Sequence, residues 1–214
     1  MAAVAVWTAP ETIHGATGGF TLAIQQLRVP HEVREVFWRA SIAAFSAFAV
    51  SGVFSAVAPG FLAIELHVHA PIVSGLLVLA LMWAAVFGQA LIDRIPRRYA
   101  FMAGCAGLFA GMVLLAATIV LHSVSLLFAS AIVSGIGTGI VVGFGLANIN
   151  EHIREARGAV TSAYFTVLYV GLALPVVAVG FLAQAVGLST AGLIFSALVA
   201  IAVGTVGVLG TPQP

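Results

Sequence analysis

The chain has 214 residues, of which 62% are hydrophobic and 7% charged, with a formal net charge of +1. Soluble domains carry roughly 45–50% apolar and about 25% charged residues, so these few charges cannot cover a water-exposed surface. The composition excludes an ordinary soluble protein and requires lipid against most of the exterior, so the bilayer is the first expected partner.

All eight basic residues are arginine and form no basic stripe with interleaved aromatics, so no nucleic-acid partner is expected. Cys105 is the single cysteine, which rules out an internal disulfide. It lies in an apolar run and reads as a small packed side chain.

The chain opens with MAAVAVW, which has no positively charged start and stops at the polar TAPET. It does not read as a signal peptide, and it is far shorter than the ~20 residues that cross a bilayer. It looks like the last two turns of a helix whose beginning is missing. Residues 1–37 are therefore expected to be the end of that helix plus a linker, Gly-rich at first and charged at PHEVREVFWR. The charged part reads either as a short surface helix or as plain linker.

Six apolar runs follow, each about long enough to span: Trp38–Gly60, Pro71–Ile92, Tyr99–Leu121, Val124–Ala147, Ala159–Ala185 and Leu188–Leu209. Arg39, at the start of the first, is the one charged residue among them. The expected fold class is all-α: a polytopic membrane domain of six transmembrane helices over residues 38–210, with a short tail at 211–214. Arg28, Arg34 and Arg39 precede or begin span one, Arg94, Arg97 and Arg98 separate spans two and three, and Arg154 and Arg157 separate spans four and five. With alternating crossings, all eight fall on one side. The positive-inside rule makes that side cytoplasmic and predicts a multi-pass cell-membrane protein with both termini inside.

The loop after span one reads IELHVHAP. In an extended segment Glu65, His67 and His69 would share one side and suit zinc. No fourth ligand accompanies them, so a solvated loop is expected and no metal is assigned. The loop after span two, DRIPRR from Asp93 to Arg98, concentrates charge that a helix centre would accept only at about 3 kcal/mol per arginine. It therefore fixes the ends of its two spans. Asp93 and Arg97 would pair if they stood one helical turn apart.

In span four, Gly135, Gly139 and Gly143 recur every four residues and give a smooth face for close helix packing. In span five, Pro175 deprives the Gly171 carbonyl of its helical donor and invites a kink. Tyr164 and Tyr169, on the same span, are candidates for a cavity wall. Ser46, Ser51, Trp83 and Gln89 are the further candidates for a substrate pathway, although a serine in a membrane helix commonly bonds its own backbone. No span contains a carboxylate to relay protons. Nor is there a nucleophile elbow, a zinc-protease pair or a phosphate loop, so no catalytic residue, no cofactor and no enzyme activity are assigned.

DRIPRR, placed between the second and third spans, resembles the D-R-x-G-R-R/K loop of the major facilitator superfamily, with Pro96 where that family prefers glycine. PET, Pro10–Thr12, resembles the motif after helix six, and RGAVTSAYFTVLYVGLALPVVAVG, Arg157–Gly180, resembles helix eleven. The resemblance implies the end of helix six, the central loop and helices seven to twelve: the C-terminal half of a secondary transporter. It further implies that Asp93, Arg94, Arg97 and Arg98 act as a conformational latch, that spans three and six face lipid, and that spans one, two, four and five line the path. A small-molecule substrate moved by alternating access follows, with efflux as a family-level expectation. On this reading the chain is incomplete alone and pairs with a separate N-terminal half or with a second copy. The alternatives are a non-transporting six-helix scaffold built on the glycine face and, with far less polar material to support it, a membrane enzyme.

Overall fold

A computed structural model describes the backbone of residues 34–152 and 157–209, and the side chains of 37–148 and 160–208. The expected helix end and linker with Pro10–Thr12 and Arg28, as well as Arg154 and the last residues, lie outside the described part.

Among the described residues no strand occurs and the spans are helical, as apolar segments must be when no water is present to satisfy their backbone. There are seven helices: α1 (Arg34–Ala56), α2 (Ala58–Ile64), α3 (Pro71–Leu91), α4 (Arg97–Leu121), α5 (Val124–His152), α6 (Arg157–Val186) and α7 (Leu188–Leu209). All but α2 are long and apolar enough to cross a membrane.

The first span is shorter than the expected run to Gly60. Pro59 cannot donate a backbone hydrogen bond, so α1 stops at Ala56 and α2 restarts with the proline in its first turn. The following loop folds back on α2, with the Val68 amide donating to the Leu62 carbonyl at 2.8 Å. Two tight connections use left-handed residues: His122 (φ 50°) caps α4, and Gly187 (φ 85°) joins α6 to α7. Pro175 sits inside α6, which is nevertheless continuous from Arg157 to Val186.

The bundle consists of two triplets, α1-α3-α4 and α5-α6-α7. The first helix of each lies against the second and third helices of the other: α5 on α3 and α4, α1 on α6 and, less closely, α7. The two third helices, α4 and α7, pack together, and so do α1 and α5. Exchanging the triplets reproduces these cross-triplet contacts, the kind of internal repeat from which transporter halves are built, although α6 also packs on α7 where α3 hardly meets α4. α1 and α5 are the most buried spans, α3 and α6 the most exposed.

Two apolar clusters hold the bundle. The larger joins Val50, Phe54 and Leu62 to Leu77, Leu81, Leu108, Met112 and Leu127. The smaller joins Phe37, Ala40 and Ala44 of α1 to Val160, Ala163, Tyr164 and Leu168 of α6.

Candidate functional site

α5 carries small residues on opposite sides. Gly135 and Gly139 lie against the α3 backbone at Leu81 and Ala85, and Gly143 against the Gln89 and Ile92 side chains. Gly137 faces the other way, where an added Cβ would come within 2.6 Å of the Leu108 amide nitrogen of α4. Backbones meet here at distances that any side chain would prevent, which gains dispersion contacts along both seams. Ser130 adds a polar link, its hydroxyl donating to the Gly111 carbonyl of α4 at 2.9 Å. Gly171 of α6 meets α1 similarly, 2.7 Å from the Phe45 carbonyl oxygen if given a Cβ. Gly52 of α1 was not singled out in the sequence, yet its Cβ would lie 2.5 Å from the Leu172 carbonyl oxygen. It stands alone in its helix, without the four-residue repeat that marks α5.

The charged knot is exposed. Asp93 and Arg94 belong to a 3-10 turn (Ile92–Arg94), Ile95 and Pro96 are extended, and Arg97 begins α4. The extended step means that Asp93 and Arg97 do not share a helix, so the one-turn pairing considered for them lacks its geometry. Arg98 lies over the Tyr99 ring, its Cζ 4.6 Å from the centroid, a cation–π contact at the mouth of the bundle.

The pathway candidates separate into two groups. Ser46 and Ser51 are buried and give their hydroxyls to the carbonyls one turn back, Ile42 at 2.9 Å and Ala47 at 3.1 Å. Tyr164 is fully buried, its hydroxyl packed against Gly145 without a hydrogen-bond partner. These three offer nothing to an open face. Trp83 of α3 and Tyr169 of α6 are 67% and 63% exposed, and Gln89, near the end of α3 and next to Gly143 of α5, is exposed as well. Ser162 and Thr166 join the exposed face of α6, with the Thr166 hydroxyl on the Ser162 carbonyl.

The membrane-depth surfaces of α4 and α7 differ. Their large exposed residues at that depth include Phe109, Val113, Leu193, Ile194, Leu198 and Ile201, and the hydroxyl of exposed Thr205 on α7 is turned onto its own helix. α3 and α6 also expose hydrocarbon, among it Leu76, Leu79, Val86, Phe87, Leu174, Val177 and Phe181, but they intersperse it with an amide, hydroxyls and amphipathic rings that α4 and α7 mostly lack at that depth.

His67 adopts a left-handed conformation (φ 56°), so the segment from Glu65 to His69 is not the extended strand a shared ligand face needs. Among the described residues no three His, Cys, Asp or Glu side chains gather in a way that would hold a metal ion. Cys105 is buried, with α7 above it at Gly207.

No curated protein matches the chain. The family model described as Major Facilitator Superfamily matches residues 40–214, which takes in five spans whole and all but the first three residues of the other. With six membrane-length helices, the arginine-rich turn between α3 and α4 and the two-triplet bundle, the chain is a multi-pass membrane protein that belongs to the major facilitator superfamily of transporters.

Proposed function

We propose that this chain forms the C-terminal six-helix half of a secondary transporter that moves a small molecule by alternating access, with efflux as the favoured direction. The family match over residues 40–214 carries the reading. The division of the surface supports it. Gln89, Trp83, Tyr169 and Thr166 on α3 and α6 suit a water-filled path or a second bundle, while the hydrocarbon of α4 and α7 suits lipid. In the working carrier α1, α3, α5 and α6 face a second six-helix unit, either an N-terminal half or another copy, and the substrate binds between the two.

A scaffold built on the glycine face of α5 is disfavoured, because that face is already occupied by α3 within the bundle. By the positive-inside rule the one-sided arginines favour a cell-membrane protein with both termini in the cytoplasm. Asp93, Arg94, Arg97 and Arg98 then sit at the cytoplasmic mouth, where charged contacts that exist in one conformation and break in the other bias the rocking equilibrium.

The test is Asp93→Asn in the transport-competent protein. Uptake or efflux slows about tenfold, the rate equivalent of about 1.4 kcal/mol, while expression is unchanged. Unaltered transport would reduce the turn to a topological device.

A further inference from the structure

Between α1, α6 and α7 lies a cavity of about 450 Å3, inside the roughly 300–1,000 Å3 range of ligand pockets. Phe195 and Val199 of α7 are buried and close its back, whereas Leu198 and Ile42 are exposed and leave one side of the cavity open. The lining is apolar apart from two serines. Ser46 is satisfied by its own helix. Ser41 is 1% exposed and its hydroxyl has no hydrogen-bond partner. Ser51, Ser55, Thr118 and Ser196 return their hydroxyls to a carbonyl one turn back; Ser41, like Ser134, Thr138 and Tyr164, does not, and of these four it is the one that lines this cavity. A buried orphan hydroxyl on a cavity wall calls for an acceptor inside the cavity.

We infer that this cavity binds one acyl chain of a membrane phospholipid, with the ester carbonyl accepting a hydrogen bond from Ser41. The order of chemistry along α1 matches the order along a lipid. Trp38, half exposed at the end of the span, belongs at headgroup depth. Ser41 stands about one turn deeper, at ester depth. Below it come Ile42, Phe45 and Ala49. From Trp38 to Ala49 the lining runs about 16 Å. Spread over that length, the volume leaves a cross-section of roughly 30 Å2, too narrow for a helix of about 10 Å diameter but suited to an alkyl chain. The site is separate from the exposed polar faces of α3 and α6 and does not depend on the transport reading.

The full chain, extracted in mild detergent, would be titrated with dipalmitoyl phosphatidylglycerol and with its ether-linked analogue, which lacks the ester carbonyls. Retained lipid is counted by native mass spectrometry. The wild-type chain holds one ester lipid about fivefold more tightly than the ether lipid, the difference that one net hydrogen bond makes. Ser41→Ala makes the two equal, and Ala202→Phe, which fills the cavity, releases both. Equal retention of ester and ether lipid by the wild-type chain would overturn the proposal, and so would unchanged retention in Ala202→Phe. Free palmitate that displaced the phospholipid at equal concentration would overturn the assignment to a phospholipid. Should Ala202→Phe fail to fold, the ester–ether comparison on the wild-type chain decides alone.

Discussion

α5 and α1 occupy equivalent places, each the first helix of its triplet and each laid against the second and third helices of the other, yet they meet those neighbours differently. α5 has glycines toward both: Gly135 and Gly139 toward α3, Gly137 toward α4. α1 closes on α6 through Gly52, against Leu172, and Gly171, against Phe45, but its seam with α7 has no such glycines. The α7 glycines that meet a neighbour, Gly192, Gly204 and Gly207, turn instead toward Ile119, Phe109 and Cys105 of α4. With no glycine on either side of the α1–α7 seam, and Ile42 and Phe45 in the lining, the cavity remains. In lipid, where apolar side chains gain little by leaving their solvent, the distribution of small residues decides which seams close. A seam left open is accessible to the bilayer itself.

The sharpest way to break this comparison is Gly139→Leu. The new side chain would collide with the α3 backbone at Ala85, which cannot swing aside. Destabilisation of about 3 kcal/mol or more is expected, seen as loss of a monodisperse, cooperatively melting protein in detergent. Gly180, which has nothing within 4 Å of its added Cβ, is the matched control. Gly180→Leu should change stability by no more than about 0.5 kcal/mol. If both variants melt alike, close approach along α5 is not what holds the bundle.

A smaller effect sharpens the α4–α5 seam. Ser130→Ala removes the interhelical bond to Gly111 and should cost about 0.6 kcal/mol, the average for such bonds in a membrane, as a lowered melting temperature. The smallest belongs to the lipid face: Thr205→Val deletes a hydroxyl bonded only to its own helix and should move stability by less than about 0.5 kcal/mol.

The spans were legible because charge is almost absent from them, and the α7 boundaries agree with the apolar run from Leu188 to Leu209. The end of α1 was misread because hydropathy does not register the missing amide of Pro59. The four-residue glycine repeat was legible as a packing face. That Gly137 serves a second neighbour was not, since a single glycine has no period. The two tyrosines of α6 were readable in principle. Five residues apart, they lie about 140° apart around a helix, so Tyr164 and Tyr169 cannot share a wall, and one is buried where the other is exposed. The cavity and the orphan Ser41 had no signature in the sequence. They arise from the distance between helices, which no local pattern encodes.

In a working transporter the faces of α3 and α6 that carry Trp83 and Tyr169 meet water or a partner, while the exposed faces of α4 and α7 meet hydrocarbon. Trp83, Tyr169, Phe109 and Ile201 all lie well inside their helices and are all substantially exposed in the bundle. Each would be replaced singly by cysteine in a Cys105→Ala background and treated, in membranes, with a water-soluble maleimide. Positions 83 and 169 are predicted to react and positions 109 and 201 to stay unlabelled. Equal reactivity at all four, or labelling confined to 109 and 201, would contradict the transporter reading.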